Sequence, residues 1–337
     1  MALLTTELHP PDDYTAPAGS PAPARTDEAE VAIIGAGVAG LSAALVLGRS
    51  RRGTVVIDAG EPRNAPSPGV HSFFSRDGML PADLLRVGRE QLQPYDSVEL
   101  RRARVTAAER VGDGFHLHLD DGGVVAARRV VLALGVVDQL PEIEGLRERW
   151  GHGVFHCPYC HGWEMRDLPL AVLGNGADGV RMARLATGWT RDLVLCTNGP
   201  ATFGDEDHAL LDRNGISVRE ERIARVEGEG KSVSGVVFED GEVLPRAGVL
   251  MRPPFRQRSD LPAALGCALT EQGVIRIDED GRTSVPGVFA VGDCASMMQQ
   301  VAVGVGQATR TAIALNNELL LQATAQPSPI TAAGALA

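Results

Sequence analysis

Val31-Ala32-Ile33-Ile34 runs directly into Gly35-Ala36-Gly37-Val38-Ala39-Gly40, and the reading of this stretch decides the fold. Four apolar residues in a row fit a buried parallel strand. Leu41-Ser42-Ala43-Ala44-Leu45-Val46-Leu47 follows as an apolar helix. Strand, glycine turn and helix in that order are the context a dinucleotide-binding turn requires. Gly35 allows the tight turn. Gly37 lets backbone amides approach a pyrophosphate, which a helix N-terminus favours electrostatically. Gly40 lets the helix pack on the strand. The next strand, Thr54-Val55-Val56-Ile57, ends at Asp58, an acid placed to accept hydrogen bonds from an adenosine ribose. FAD and NAD share this logic, while Asp58 disfavours a 2'-phosphate by like charge.

The chain around this unit has 337 residues, enough for two domains. It is 44% hydrophobic but only 4% aromatic, so its cores are built from Ala, Val and Leu. A net charge of -11 disfavours nucleic acid and anionic membranes as partners. No apolar run approaches the ~20 residues that cross a bilayer. One close cysteine pair and three scattered cysteines do not make a secreted disulfide framework, and a cytoplasmic enzyme is expected. Residues 1–28 lack the basic start and apolar core of a secretory signal and read as a disordered tail. Residues 323–337 read as a flexible tail.

Further along, Phe115-His116-Leu117-His118-Leu119 with Asp120-Asp121-Gly122-Gly123 reads as a hairpin beside the parallel sheet. Arg129 to Leu134 is another buried strand, ending at Gly135. A second fingerprint then appears. Leu168 to Leu173 runs into Gly174-Asn175-Gly176-Ala177-Asp178-Gly179. Its second strand, Asp192 to Thr197, ends in Asn198-Gly199-Pro200. No acid stands there to hold a 2'-hydroxyl, and no arginine cluster follows to hold a 2'-phosphate. The unit has the shape of a nicotinamide domain without its clamp, which makes NADPH binding doubtful. Val288-Phe289-Ala290-Val291-Gly292-Asp293 is a last apolar strand ending in Gly-Asp, followed by a helix over about Val303 to Leu321.

Between the two fingerprints lies His156-Cys157-Pro158-Tyr159-Cys160-His161-Gly162. Cysteines three apart form a disulfide in one short turn and exchange electrons through a mixed disulfide. His161 is adjacent to Cys160 and is a candidate to take a thiol proton or stabilise a thiolate. His156 is a second candidate. A zinc site is the alternative for these residues, but structural zinc usually needs four protein ligands and there is no second cysteine pair. No metal is expected.

These pieces, in this order over about residues 29 to 322, resemble the low-molecular-weight thioredoxin reductase group of flavoproteins. The resemblance implies an α/β fold with two Rossmann-like nucleotide-binding domains of the pyridine nucleotide-disulfide oxidoreductase type, the second inserted in the first. It implies an FAD domain over residues 29–146 and 252–322, an inserted NAD(P)-type domain over residues 147–251 bearing the cysteine pair, and a homodimer. FAD would be held by Gly35, Gly37, Ala39, Gly40, Asp58, Ala59, Arg63, Asn64, Gly135, Gly292, Asp293, Gln300 and Val301, with Cys160 on the flavin side. Two departures stand out: His161 replaces the acid that follows the second cysteine in thioredoxin reductases, and the arginine-rich NADPH motif is missing. With Arg76-Asp77-Gly78 and Gln300-Val301, they look closer to a branch of FAD-dependent dithiol oxidases. Those close a disulfide in dithiol natural products such as gliotoxin and holomycin, part of antibiotic biosynthesis. The function expected is therefore oxidation of a small-molecule dithiol, with O2 as acceptor and hydrogen peroxide as product. A reductase of protein disulfides, using NAD(P)H or another donor, is the alternative.

Overall fold

The computed structural model describes residues 26–325; the rest of the two expected tails lies outside the described residues. In chain order the strands begin with β1 (Thr26–Ile34), β2 (Thr54–Asp58), β3 (Val98–Arg102), β4 (Val105–Val111), β5 (Gly114–Leu119), β6 (Val124–Leu132) and β7 (Val136–Asp138). They continue with β8 (Val154–Phe155), β9 (Leu170–Leu173), β10 (Leu193–Cys196), β11 (Ser217–Arg219), β12 (Ile223–Glu227), β13 (Gly235–Phe238) and β14 (Val243–Pro245). The last three are β15 (Gly248–Met251), β16 (Phe255–Gln257) and β17 (Val288–Ala290). The α-helices are α1 (Val38–Arg49), α2 (Pro81–Glu90), α3 (Pro158–His161), α4 (Gly176–Ala186), α5 (Asp205–Arg213), α6 (Leu261–Ala264) and α7 (Val301–Ala325).

Two sheets carry the architecture, one mixed and one wholly parallel, each covered on both faces. The first runs β3-β2-β1-β6-β5-β4, with β17 also parallel to β6. Its central strands are buried on both sides, which is why they read as unbroken apolar runs. On one face α1 and α7 pack through Ala43, Ala44, Leu47, Ala308, Ala312 and Leu315. On the other, β5 alternates half-buried and buried residues, turning Phe115, Leu117 and Leu119 inward and His116 and His118 outward. The expected hairpin beside the parallel sheet is therefore present as antiparallel β4, β5 and β6.

The second sheet runs β11-β10-β9-β15-β8, every pair parallel, and begins the second nucleotide-binding unit. The chain leaves the first sheet through β7 and returns through β16. These two crossings pair antiparallel, with Phe255 opposite Asp138 and Gln257 opposite Val136. This places two nucleotide-binding units in one chain, one inside the other. Among the described residues no helix is long and apolar enough to cross a membrane.

Two element ends differ from the sequence reading. Strand β1 starts at Thr26, inside the expected tail, because Thr26 to Ala29 pair with Val124 to Ala127 of β6. Helix α7 continues to Ala325, past the boundary expected at 322, carried by Leu315 and Leu319 packing beneath it.

The two glycines of the first turn fail differently when substituted. A Cβ on Gly40 would collide with the Gly35 carbonyl and press on Ala133, whereas a Cβ on Gly37 would meet nothing within 4 Å. Gly40→Ala should therefore lower stability by roughly 1–3 kcal/mol through overpacking. Gly37→Ala should leave the melting temperature of cofactor-free protein unchanged. Thermal unfolding of both variants checks this contrast; equal losses would contradict it.

Candidate active site

The first glycine turn opens onto a cavity of about 660 Å³, lined from both stretches of the first unit and from the start of the second. Gly35, with φ of 109°, closes against the Ala133 backbone, and its N–H donates to the Ile57 carbonyl at 2.8 Å. Gly37, Ala39, Asp58, Ala59, Arg63, Asn64, Gly135, Gly292, Asp293, Gln300 and Val301 join Gly35 on the wall. Gly40 does not reach it. Its role is the close packing of helix on strand described above.

Asp58 Oδ1 accepts the Ala36 N–H at 2.9 Å, and its other oxygen lies 3.6 Å from Arg89. The carboxylate at the end of β2 thus points back over the turn.

The wall is held by a partly buried ionic cluster. Arg63 donates to both oxygens of Asp138, at 2.9 and 2.6 Å, and to Asp293 at 2.9 Å and the Gln299 carbonyl oxygen at 2.7 Å. Burial opposes its charge, but hydrogen bonds to Asp138 and the charges of Asp293 and Asp138 outweigh it, and its pKa rises. Sequence reasoning named Arg63 and Asp293 but missed Asp138 and Gln299. A buried arginine demands an acid, which was the available signal; its position in the chain was not.

Cys157 and Cys160 are joined in a disulfide, with Cα atoms 5.2 Å apart. The short α3 turns on the Cys157 carbonyl, which accepts from Cys160 N and His161 N, both at 3.1 Å. Cys160, His161 and His156 line the cavity and Cys157 does not. The structure therefore brings Cys160 of the pair to the same space as the glycine turn. His156 stacks on Trp150, ring centroids 5.6 Å apart, and burial followed by the Arg63 charge pushes its pKa down to about 4. Burial also lowers the His161 pKa, against the raising effect of Glu164. Both rings are neutral near pH 7. His161 Nε2 lies 3.2 Å from Ser67 Oγ, and its ring sits 6.5 Å from that of His71. Neither Ser67 nor His71 carries a sequence signal, since loop contacts of this range leave no periodicity. The other cysteines are buried and free, with burial pushing the thiol of Cys196 up to about 12 and of Cys294 up to about 11.

These features agree with one family. The sequence family described as pyridine nucleotide-disulphide oxidoreductase matches residues 29–308. The chain belongs to that family. A thioredoxin reductase of Gibberella zeae is 31% identical over 309 residues, covering 78% of this chain and 90% of its own length. The crystal structure of HlmI is 41% identical with a TM-score of 0.85, over 88% of this chain and 94% of that one. The oxidoreductase from Agrobacterium tumefaciens is 36% identical with a TM-score of 0.82, over 87% and 99%. The chain is thus an FAD-dependent thiol-disulfide oxidoreductase of the thioredoxin-reductase-like group.

The cavity fits FAD. The space beside Gly37 and Gly135 is open, and Gln299 Nε2 is a buried donor on the wall without a partner among the described residues.

Two expectations are corrected. Oxidation of a small-molecule dithiol with O2 does not hold, because the similarity leads to thioredoxin reductases. The doubt about NADPH does not hold either, because the family match is to pyridine nucleotide enzymes and spans the second unit. A missing local motif was weak ground for that doubt, since a guanidinium can arrive from another strand. That of Arg222 lies 3.6 to 3.8 Å from where a Gly199 Cβ would stand.

Neutral buried His156 makes stability depend on pH. Its folded pKa, about 4, lies below the unfolded value of 6.5, so the unfolded chain binds the proton first. The contribution is complete above pH 6.5 and is lost as pH falls toward 4, by roughly 3 kcal/mol. His156→Phe, which keeps a ring on Trp150, should flatten that slope in denaturant titrations between pH 7 and 4.5. An unchanged slope would refute the assignment.

Proposed function

We propose that this chain is an NADPH-dependent reductase of protein disulfides, working through Cys157 and Cys160. The observation that carries this reading is the position of Cys160 on the cavity wall, with Cys157 one turn away outside it. A pair divided in this way has one sulfur toward the cofactor and one toward a partner. The thioredoxin reductase name of the Gibberella zeae relative supports a partner of the thioredoxin type. FAD, when bound, supplies a two-electron carrier between nicotinamide and disulfide.

The chain's own residues have separable roles in this reading. The amides of the Gly35–Gly40 turn and the start of α1 would hold the pyrophosphate. Asp58 would receive the ribose. The Arg63, Asp138 and Asp293 cluster fixes the cavity wall. Reduced Cys157 attacks the partner disulfide, and Cys160 resolves the mixed disulfide. In the second unit, Asn175 Oδ1 accepts from Gly176 N at 2.7 Å and Thr202 N at 2.9 Å, tying the second glycine turn to the loop after β10. Arg222 beside Gly199 supplies positive charge where a 2'-phosphate would lie, with the Glu220 carboxylate engaged by Ala201 N at 3.1 Å in the same loop. The choice of NADPH over NADH rests on that guanidinium. A homodimer is part of the reading, supported by the exposed apolar residues Ile313, Leu320 and Leu321 on α7.

Turnover of an oxidised thioredoxin-type protein, followed by NADPH consumption, tests this directly. Cys157→Ser and Cys160→Ser should each abolish it. Arg222→Ala should raise the KM for NADPH about tenfold with kcat unchanged, the pattern of lost uniform binding. Flavin reduced only by added dithiols, with both nicotinamides inert, would overturn the reading.

A further inference from the structure

Beside the disulfide, one hydroxyl has a hydrogen-bond pattern with a single solution. Ser67 Oγ lies 2.6 Å from the Gly69 carbonyl oxygen, 3.3 Å from Gly69 N and 3.2 Å from His161 Nε2. Two oxygens at 2.6 Å need a proton between them, and a carbonyl has none to give. Ser67 therefore donates its only proton to Gly69. Toward Gly69 N–H it accepts, and toward His161 it can only accept as well. His161 must then carry its proton on Nε2, which leaves the lone pair of the neutral ring on Nδ1. Among the described residues no group pairs with Nδ1, which is buried. A buried acceptor left unpaired costs free energy unless the site uses it.

We propose that Ser67 is a positioning residue that locks His161 in the Nε2–H tautomer, so that Nδ1 serves as the base for the Cys160 thiol. This rests on thiol-disulfide exchange at Cys157 and Cys160, as read above. The reduced pair starts as a Cys157 thiolate and a Cys160 thiol. Cys157 attacks the partner disulfide; a sulfur–sulfur bond forms, the partner's bond breaks, and the released partner thiolate takes a proton from water. Cys160 then gives its proton to His161 Nδ1 and attacks the Cys157 sulfur. The Cys157–Cys160 bond forms, the mixed disulfide breaks, and its electron pair leaves on the second partner sulfur. That sulfur receives the proton back from Nδ1. Two electrons and two protons reach the partner.

The surroundings suit a base that must be neutral at rest. Phe155 and His71 flank the ring, with centroids 6.0 and 6.5 Å away. The charged and titratable groups that act on it are Glu164, His71 and His152, and it in turn acts on His156. Glu164 is also 3.6 Å from His71, a polar route by which a proton leaves toward solvent. Ser67 belongs to the same loop as Arg63, so the segment that braces the cofactor wall also orients the base.

The test separates the two thiol steps without any nicotinamide. FAD-containing protein is reduced with dithiothreitol, freed of reductant under nitrogen and mixed with 5,5'-dithiobis(2-nitrobenzoate). The first thionitrobenzoate released reports attack by Cys157 and the second reports resolution by Cys160. Ser67→Ala should leave the first phase unchanged and slow the second about tenfold, the factor one side-chain hydrogen bond commands. Ser67→Thr, which keeps the hydroxyl, should restore it. Nitrogen-15 histidine spectra should show a protonated Nε2 and a bare Nδ1 at His161 in the wild type, and mixed tautomers in Ser67→Ala. An unchanged second phase, an equal fall in both phases, no restoration by threonine, or a proton on Nδ1 would each overturn the proposal. Because NADPH takes no part, inertness toward nicotinamide would count against the reductase reading alone.

Discussion

The largely buried pairing of Arg63 with Asp138 and Asp293 is the constraint on which the rest of the site depends. Its members stand 75 and 230 residues from Arg63 in the chain. They come from the loop after β2, from the outgoing crossing β7 and from the turn after β17. Two carboxylates around one guanidinium are tolerable in a buried place because each charge is matched by hydrogen bonds. Removing one partner of such a cluster typically costs 3–5 kcal/mol, since the remaining charges stay buried and unpaired. The cluster therefore fixes where the chain leaves and re-enters the first unit. It also holds His156 neutral through the nearby guanidinium, after burial has already disfavoured its charge.

From that brace the chemistry follows by contact. The loop carrying Arg63 runs on to Ser67, which reaches His161, and His161 adjoins Cys160 on the cavity wall. Backbone close packing sets the other wall: Gly35 lies against Ala133, and Gly40 closes on Gly35. The cavity is thus bounded by a rigid glycine turn on one side and an ionic brace on the other. A disulfide in the short turn of α3 stands at its margin.

Much of this was legible in the sequence, and for definite reasons. The strands of a doubly covered parallel sheet must be apolar throughout, so β1, β2, β6 and β9 announce themselves. The glycines Gly35, Gly37 and Gly40 are fixed by turn geometry, cofactor approach and helix packing, three demands that few other residues meet. The cysteine pair is a local motif. Asp138, Gln299, Ser67 and His71 were not legible, because each acts through a contact between distant segments that no spacing records. The function reading failed for a related reason. An arginine run is missing after β10, yet Arg222 approaches Gly199 from the segment after β11. Local motifs report what a segment carries, while a binding site is assembled from several.

The central claim is that electrons pass from NADPH through the flavin cavity to Cys157 and Cys160. Anaerobic titration of the purified FAD protein with NADPH, following flavin absorbance and free thiols together, tests it most directly. The account predicts a bleached flavin and two new thiols per chain, with no thiols gained when Cys160 is replaced by serine. A flavin that stays oxidised in excess NADPH, with the disulfide intact, would contradict it.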